Sequence, residues 1–354
     1  MINQAARSGR RLELRGGGSK AEVGAPREAE VVDLAGFCGI LDYDPAELVL
    51  TARAATPLAE IEAAVAERGQ MLAFEPFDHG PLFGRAAGAA TLGGVIAAGV
   101  SGSRRLSRGA GRDHLLGFAG VSGRGEAFVA GGKVVKNVTG YDLSKLMAGS
   151  WGRLAALTEV TVKVLPRPPE ALSLAIEGLE PAAAVALMSR ALGSQADVAA
   201  AAHAPGLTVL RLEGFGPSVQ ARSRLLQSMA AGFTPLPEDA AAAFWSAMRH
   251  PLPDCPILWR VSVPPSRAGA LLDALDGPWL MDWAGGLVWS ACADAAAVRR
   301  AAEAAGGHAM LVRAPEAMRA EVPALHPQPS GVAALEVRVR RAFDPEGVFE
   351  TGRF

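Results

Sequence analysis

The stretch Arg15-Gly-Gly-Gly-Ser-Lys20 decides how this sequence is interpreted, and it follows a segment, Arg11 to Arg15, that predicts a β-strand. Glycines let successive backbone amides point at one centre, because no Cβ atom blocks the approach or the positive φ angles that such a turn needs. A loop of this kind suits a pyrophosphate group, to which Ser19 would add a hydroxyl and Lys20 a positive charge. The alternative is an ordinary glycine turn.

Two familiar nucleotide-binding patterns do not explain this loop. The spacing Gly16-x-Gly18-x-x-Ala21 satisfies the glycine pattern of a Rossmann fold, but that fold requires a helix directly afterwards. The stretch from Glu22 to Pro26 cannot supply that helix, because it contains both glycine and proline. A P-loop is excluded as well, since no glycine stands at the required spacing before Gly18-Ser-Lys20.

A second glycine-rich segment runs from Ala90 to Gly102 and leads into a stretch with four arginines, Arg104 to Arg112. Its run of small residues around Ala97 would let the backbone lie flat against a ligand. Thr91 and Ser101 offer hydroxyls, and the arginines can balance phosphate charge. The alternative is close helix packing through small residues, followed by a solvated basic loop.

A third segment, Lys136 to Gly152, predicts a glycine turn, a short amphipathic helix and another glycine turn. Leu143, Leu146 and Met147 would share one face of that helix.

Composition limits the class of protein. The chain has 354 residues, 50% of them hydrophobic, which is enough for about two domains with large cores. Its net charge of −1 argues against a nucleic-acid binder. Three separated cysteines, Cys38, Cys255 and Cys292, cannot form a disulfide framework, a zinc site or a four-thiolate iron–sulfur cluster.

A proline-rich seam, Pro166-Arg-Pro-Pro169, predicts a domain boundary. Before it, Pro57 to Arg68 predicts a helix capped by Thr56, and Val160 to Val164 predicts a half-buried strand. After it, alanine-rich helical stretches alternate with strands. This order predicts an α+β domain with its helices on one face of an antiparallel sheet.

The order of these motifs resembles the FAD-binding fold of the vanillyl-alcohol oxidase and p-cresol methylhydroxylase (PCMH) superfamily. The resemblance is carried by Arg15-Gly-Gly-Gly-Ser19, Thr91-Leu-Gly-Gly94, Arg112-Asp113, Thr139-Gly-Tyr-Asp-Leu143, and Phe343-Asp-Pro with the closing Gly352-Arg353. Three further stretches are similar to the FAD-binding E subunits of the bacterial glycolate oxidase D–E–F complex: Gly18-Ser-Lys20, Ser101-Gly-Ser-Arg-Arg105 and Gly149-Ser-Trp-Gly-Arg153. The likeness covers about residues 10–170 and the end of the chain.

This resemblance implies an α+β fold in three parts. A two-lobed PCMH-type FAD-binding domain is expected over residues 1–170, and a smaller α+β cap-like domain with an antiparallel sheet over residues 171–320. A C-terminal segment, residues 321–354, would return to the FAD domain, with Phe349 to Arg353 near it.

The resemblance also implies the residues that bind the cofactor. At the pyrophosphate they are Arg15, Gly16, Gly17, Gly18, Ser19 and Lys20. Along the phosphates and flavin they are Thr91, Gly93, Gly94, Gly99, Ser101 and Gly102, with Gly109 and Asp113 in a neighbouring loop. At the adenine or ribose end they are Gly149, Gly152 and Val160.

Some positions depart from the family. No histidine lies within Arg15–Lys20, where covalently flavinylated relatives place one, so non-covalent FAD is expected. Trp151 and Arg153 stand where related dehydrogenases have Glu and Thr, which would change local cofactor contacts. The first residues fall inside the family's opening helix, so either the opening elements are trimmed here or the true start lies upstream.

The resemblance implies hydride transfer from glycolate, or from a related D-2-hydroxy acid, to the flavin. Relatives carry a pair of metal-binding histidines, but His203, His250, His308 and His326 lie far apart in this sequence, and no metal is expected. His79 and His114 lie nearest the expected flavin, and His79 is a catalytic candidate against the alternative of a packed histidine. The sequence does not single out an arginine that would bind the substrate carboxylate.

The scattered cysteines imply that another polypeptide carries any iron–sulfur clusters. The expected partners are therefore a larger FAD-linked oxidase subunit and an iron–sulfur subunit, with no nucleic acid. The expected location is cytoplasmic, at most peripheral on the inner face of the membrane through these partners. Two alternatives stay open: a non-catalytic accessory or electron-relay subunit, and a stand-alone oxidase of another alcohol.

Overall fold

The computed structural model describes residues 1–132 and 141–354 of the chain. These fold as two compact units: unit 1 comprises residues 1–101, 109–167 and 327–354, and unit 2 comprises residues 102–108 and 168–326. The third transition between the units along the chain, at Pro168, falls within the proline-rich seam. The domain limits at residues 170 and 320 stay a prediction. The motif residues Thr139 and Gly140, with the predicted glycine turn that contains them, lie outside the described residues.

Unit 1 is built around an antiparallel sheet and two smaller strand pairs. Its described strands are β1 (Leu12–Arg15), β2 (Glu30–Asp33), β3 (Ile40–Asp44), β4 (Val49–Arg53), β5 (Gln70–Met71), β6 (Leu115–Ser122), β7 (Ala127–Gly131), β8 (Ala155–Lys163) and β9 (Leu165–Pro166). The sheet has the strand order β3-β4-β8-β6-β7, while β1 and β2 pair in parallel and β5 and β9 pair antiparallel.

Strand β8, at the centre of that sheet, confirms the strand predicted from alternating valines. Val160 and Val162 are fully buried, whereas Thr161 and Lys163 are half-buried. Successive side chains of a strand point to opposite faces, so the valines enter the core on one face only. Thr161 lies across from Thr51 on β4, with their hydroxyl oxygens 2.9 Å apart.

The helices of unit 1 are short apart from the last. They are Ile2–Ser8, Leu58–Ala66, Leu92–Ala97, Gly111–His114, Leu143–Met147 and Ser330–Phe343, with a 3₁₀ turn at Gly80–Phe83. The predicted helix after Pro57 is confirmed, and its face of Leu58, Ile61 and Val65 is buried. The prediction that Thr56 caps this helix is wrong, because its hydroxyl donates to the Arg53 carbonyl at 2.7 Å instead.

Unit 2 contains an eight-stranded antiparallel sheet, which confirms the sheet predicted for the second half of the chain. Its strands are β10 (Glu170–Glu177), β11 (Ala200–Ala204), β12 (Leu207–Gly214), β13 (Thr234–Pro235), β14 (Leu258–Ser262), β15 (Trp279–Asp282), β16 (Leu287–Ser290) and β17 (His308–Arg313). Their order is β13-β10-β12-β11-β15-β16-β14-β17.

Helices pack on both faces of this sheet, whereas the sequence predicted one face only. They are Arg105–Arg108, Pro181–Leu192, Gly216–Met229, Glu238–Arg249, Ala268–Asp273, Ala295–Ala304 and Glu316–Glu321, with 3₁₀ turns at Pro265–Arg267 and Trp283–Gly285. Ala201 of β11 joins the main helical core, but its neighbours Ala200 and Ala202 pack with Phe244 and Trp245 of helix Glu238–Arg249. Side chains alternate along a strand, so this helix covers the opposite face.

The described cysteines are free thiols: Cys38 is exposed, Cys255 is partly buried and Cys292 is buried. Among the described helices, none combines the length and the apolar character needed to cross a membrane.

Candidate cofactor-binding site

The loop from Gly16 to Lys20 packs closely against the start of the second glycine segment. A Cβ atom on Gly17 would lie 1.8 Å from the backbone oxygen of Ala89, and one on Gly16 would lie 2.8 Å from Thr91 Oγ1. Only glycine allows the two segments to approach this closely. This contact brings the first and second glycine segments together.

Several backbone amides of this loop are available to a ligand. Among the described residues, the N–H groups of Gly17, Gly18 and Ser19 donate no hydrogen bond. Gly18 has a φ angle of +76°, a conformation that a residue with a side chain rarely adopts. Consecutive amides in such a turn form a concave site for an anion.

The second segment is anchored on the strand next to it. Thr91 caps helix Leu92–Ala97 by accepting a hydrogen bond from the Gly94 N–H, at 3.2 Å. The Gly93 N–H donates to the Ala54 carbonyl at 2.8 Å, just after β4. Helix and sheet are therefore joined where the glycine loop lies.

The third segment joins the other end of the same helix. The Gly149 N–H donates to the Ile96 carbonyl at 3.1 Å, and the Trp151 N–H donates to the Ala97 carbonyl at 2.8 Å. Trp151 has a φ angle of +56°, which is uncommon for a bulky residue. These two bonds satisfy carbonyls at the helix C-terminus and hold the turn in place.

The three segments meet around one open cavity of unit 1, whose volume of about 770 Å³ includes space open to solvent. Ten predicted cofactor residues line it: Arg15, Gly16, Gly17, Gly18, Ser19, Lys20, Thr91, Gly93, Gly94 and Gly152. The other lining residues are Glu13, Leu14, Ala21, Leu34, Ala54, Ala55, Ala89, Ala97, Ala98, Trp151, Ala155, Leu157 and Arg353. Most of these are alanines, and apart from the small-residue run around Ala97 no motif in the sequence distinguishes them.

The remaining predicted cofactor residues do not line this cavity, and their role stays a prediction. Ser101 accepts a hydrogen bond from the Gly111 N–H at 3.0 Å, and Asp113 accepts one from the Ala110 N–H at 2.9 Å. Gly99 lies just beyond the end of helix Leu92–Ala97, and Val160 lies in the core. With Gly109 and Gly149, these residues all belong to unit 1. Gly102 belongs to unit 2, where its carbonyl accepts from the Trp283 indole N–H at 3.0 Å.

Lys20 carries a positive charge into the wall of the cavity. Its side chain is almost fully buried, and Nζ lies 3.3 Å from Ser19 Oγ. Burial lowers the pKa of Lys20 to about 8, while the charge of Asp78 opposes this shift and that of Arg353 adds to it. An anion at this wall would favour the charged form of Lys20.

Asp78 supports that charge and shapes the loop that packs on Gly17. Its carboxylate accepts hydrogen bonds from the N–H groups of Gly80 and Gly88, both at 2.8 Å, and of Ala90 at 3.1 Å. Burial alone would raise the pKa of Asp78, but these three bonds and Lys20 lower it overall. The chain from residue 78 to residue 90 is therefore held by one ionised side chain.

The end of the chain completes the wall through Arg353. Its guanidinium donates to the carbonyls of Lys20 and Val23, the latter at 2.9 Å, and the Ala25 N–H donates back to the Arg353 carbonyl at 3.1 Å. Burial and the nearby charge of Arg27 lower the pKa of Arg353. Its guanidinium carbon lies 5.1 Å from the centre of the Trp151 ring. The closing Gly352-Arg353 pair was the only sequence signal for this contact.

His79, the catalytic candidate, does not line the cavity. It is buried at the start of the 3₁₀ turn Gly80–Phe83, and its ring lies parallel to that of Phe77 with 4.9 Å between the centroids. His114 is buried as well, 5.4 Å from the ring of Phe74. A catalytic role for His79 stays a prediction.

Comparison with known proteins gives matches to parts of the chain and to its whole length. Glycolate oxidase subunit GlcE of Escherichia coli (strain K12) is 37% identical over 357 residues, covering 99% of this chain and 95% of that protein. D-lactate dehydrogenase of Archaeoglobus fulgidus is 33% identical over 164 residues, but this match covers only 46% of this chain and 35% of the enzyme. The second relative therefore shares only a part of its length with this chain.

A family model and a solved structure agree with this match. The model described as FAD binding domain matches residues 1–131, which implies FAD as the cofactor. Alkyldihydroxyacetonephosphate synthase has the same fold, with a TM-score of 0.67 over 99% of this chain and 74% of its own, at 16% identity. Because the GlcE match spans nearly all of both chains, this protein belongs to the family of the FAD-binding glycolate oxidase subunit GlcE.

Proposed function

We propose that this chain is the FAD-binding subunit of a glycolate oxidase complex and contributes to the oxidation of glycolate, or of a related D-2-hydroxy acid, to the 2-oxo acid. The observation that carries the proposal is the cavity where three glycine segments meet, in a chain 37% identical to subunit GlcE. The first two of those segments lie within the match to the FAD binding domain.

The residues around the cavity fit a dinucleotide with a charged diphosphate. Gly17, Gly18 and Ser19 offer backbone donors that no described residue uses, and Lys20 and Arg353 supply positive charge. A Cβ atom at Gly17 would clash with Ala89, so the shape of this wall requires a residue without a side chain at position 17. Alanines make up much of the remaining lining, which leaves room for a flat ligand.

Each part of the cavity has a proposed task. The loop Gly16–Ser19 and Lys20 bind the diphosphate, and the turn at Trp151 and Gly152 forms the opposite wall. Bound FAD supplies an acceptor for the hydride that leaves the α-carbon of the hydroxy acid. Around it, the chain orients the cofactor and replaces water by backbone donors and buried cations.

We also propose that the cofactor is held without a covalent bond. Among the described residues that line the cavity, none is a histidine, cysteine or tyrosine, the side chains that could serve as nucleophiles toward a flavin ring. Acid or heat denaturation of the purified chain should then release all flavin into the supernatant. Flavin that stays with the precipitated protein would contradict this part of the proposal.

The absorbance of the purified chain tests cofactor binding directly. We expect a flavin spectrum with about one FAD per chain, or its recovery when FAD is added to the apoprotein. The variant Lys20→Met should bind FAD more weakly, whereas Lys145→Met, which changes an exposed lysine outside the cavity, should behave as the parent. A colourless chain that takes up no FAD would overturn the proposal.

Catalysis is proposed to need partner subunits. The free thiols of Cys38, Cys255 and Cys292 are spread over the chain, so iron–sulfur clusters for electron exit would belong to another polypeptide. We infer a larger FAD-linked oxidase subunit and an iron–sulfur subunit, on the cytoplasmic side of the membrane. Affinity purification with a tag on this chain, followed by flavin and iron analysis of the complex, tests this assembly.

The alternative is an accessory or electron-relay subunit, and the packing of the histidines favours it. His79 stacks on Phe77, His114 packs against Phe74 with its ring tilted, and His203 is buried in β11. Turnover of glycolate by the isolated FAD-loaded chain with an artificial electron acceptor would rule this alternative out. Turnover only after the partners are added would leave the chain with an accessory or shared role.

A further inference from the structure

Three neighbouring strands at one end of the unit 2 sheet, β16, β14 and β17, place a partly buried arginine on the face away from the main helical core. Antiparallel pairing places Trp289 of β16 and Met310 of β17 on either side of Arg260 of β14. Opposed residues of neighbouring strands share a face, and the next residues along β14, Trp259 and Val261, belong to the core on the other face. Arg260 therefore projects from the face that the main core does not use.

Two guanidinium groups meet at one indole ring on this unit. The guanidinium carbon of Arg105 lies 4.2 Å from the centroid of the Trp283 ring, and that of Arg260 lies 5.1 Å from it. Arg105 reaches this ring from the short segment 102–108 that belongs to unit 2. Each arginine gains a cation–π contact, but the two like charges repel each other.

Arg260 has no carboxylate to compensate its charge within the described part of the chain. Its side-chain hydrogen bond is to the neutral hydroxyl of Ser262, at 3.5 Å. Burial and the charge of Arg105 lower the pKa of Arg260. A partly buried cation that faces a second cation is costly unless an anion joins them.

A further donor lies beside Arg260. Trp289 is 2% exposed, and its indole N–H has no hydrogen-bond acceptor among the described residues. Buried polar groups without a partner are rare in folded proteins and often mark the place of a ligand or water. His308, opposite Ser262 on β17, adds another titratable nitrogen to this face. Desolvation is the main cause that lowers the pKa of His308, and the charges of Arg260 and Arg105 lower it further.

The ring that both arginines contact is held in a strained turn. Trp283 and Ala284 have φ angles of +52° and +54°, although neither is glycine. Asp282 fixes the turn by accepting from the Trp283 N–H and from the buried Ser103 hydroxyl, both at 2.7 Å. Such strain persists where the surrounding structure enforces it, and it is frequent at ligand sites.

We propose that Arg105 and Arg260, which both contact the Trp283 ring, bind the carboxylate of a small organic acid. A guanidinium pairs with a carboxylate through two parallel N–H···O bonds, and such charge-assisted bonds are strong. The ligand class rests on the proposed function, since a 2-hydroxy acid presents one carboxylate next to the carbon that is oxidised. The site would give this chain a substrate-binding role of its own.

Calorimetric titration of the full FAD-loaded chain with glycolate and with oxalate tests this site. We expect Arg260→Gln to weaken binding of both acids by about tenfold or more, because a charge-assisted bond is lost. Arg260→Lys should restore part of the affinity, and Arg267→Gln, at an exposed arginine of the same unit, should bind as the parent does.

Three results would overturn the carboxylate site: no binding of either acid, equal affinity in Arg260→Gln and the parent, or inorganic phosphate binding more tightly than oxalate. The flavin absorbance of each variant is recorded in parallel. A change in acid binding at full FAD content bears only on the carboxylate site. Absence of FAD from the parent chain bears on the proposed function. Melting temperatures identify any variant that fails to fold.

Discussion

The α-carbon of Gly17 lies so close to the carbonyl oxygen of Ala89 that an added Cβ atom would be 1.8 Å from that oxygen. The neighbouring atom is backbone, so it cannot move aside as a flexible side chain would. At this point the first glycine loop packs against the segment that leads into Thr91. The geometry of the diphosphate site in our proposal depends on it.

We therefore expect Gly17→Ala to push the two segments apart. Overpacking of this kind costs about 1–3 kcal/mol of folding free energy. The dissociation constant for FAD should rise by at least about tenfold, since a 1.4 kcal/mol loss suffices for that change. Titration of the apoprotein with FAD, followed by absorbance or flavin fluorescence, measures the effect.

Gly36→Ala is the matched control for this variant, because no atom lies within 4 Å of the position of its Cβ. It should leave both the melting temperature and the affinity for FAD close to those of the parent. If Gly17→Ala bound FAD as tightly as Gly36→Ala does, the loop would not hold the cofactor.

The pKa of Lys20, lowered by burial to about 8, predicts a pH-dependent affinity for FAD. A bound diphosphate favours the charged form of Lys20, so its pKa rises in the complex and binding takes up a proton above pH 8. Affinity should thus be constant below about pH 8 and fall by up to about tenfold per pH unit above it. Fluorescence titrations between pH 6 and about pH 9.5 would reveal this profile.

Two variants separate charge from packing at this position. Lys20→Arg keeps a cation at high pH and should lose the inflection near pH 8. Lys20→Met should bind weakly at every pH, with a flat profile through the same range. A parent-like inflection in Lys20→Met would assign the titration to another group.

Asp78 provides the next prediction because one carboxylate accepts from three backbone amides, those of Gly80, Gly88 and Ala90. Asp78→Asn replaces one acceptor oxygen by a donor, so at least one of these amides loses its partner. We expect a loss of about 1–3 kcal/mol in folding free energy and weaker FAD binding through the displaced Ala89.

The effect of Asp78→Asn should depend on pH in a defined direction. The pKa of Asp78 is lower in the folded chain than in the unfolded chain. The stability that ionised Asp78 gives to the fold is therefore fully present above the unfolded-state pKa and is lost as the pH falls through the folded-state pKa. Thermal unfolding at pH 7 and in acidic buffers below about pH 4 compares the variant with the parent. Asp276→Asn, at an exposed aspartate, is the control, and equal melting temperatures of both variants would contradict the role given to Asp78.

Local patterns predicted much of this fold because they reflect backbone geometry. The alternation of Val160 and Val162 with polar residues and the apolar face of Leu58, Ile61 and Val65 each correspond to an element with that face buried. The prediction for Thr56 failed because its hydroxyl found closer partners in the Arg53 carbonyl and the Gly39 backbone. Local pattern does not reveal such a competition between tertiary and capping bonds.

The site was predictable only where glycine marks it. Gly16 to Gly18, Thr91 and Gly152 could be named because their conformations or spacing are unusual, and they do line one cavity. Arg353 and Ala54 line the same cavity: the closing Gly352-Arg353 pair was the only sequence signal for Arg353, and no motif marks Ala54. The segment 102–108 illustrates the limit, since nothing in its sequence shows that it belongs to a different unit from its neighbours.

His203 gives the last prediction, on stability rather than binding. Its ring is fully buried in β11, with Nδ1 2.9 Å from the Thr208 hydroxyl and the Trp279 ring 5.5 Å away, and burial lowers its pKa to about 4. The unfolded chain takes up a proton near pH 6.5, whereas the folded chain does so only near pH 4, so unfolding becomes easier as the pH falls between these values. Protonation of this histidine should lower the free energy of unfolding by about 2 kcal/mol between pH 7 and pH 5.

His203→Asn should show a correspondingly smaller pH dependence in urea denaturation, while Thr208→Val, which keeps the buried ring, should retain that of the parent. Equal pH dependence in His203→Asn and Thr208→Val would mean that the acid sensitivity of this unit arises elsewhere.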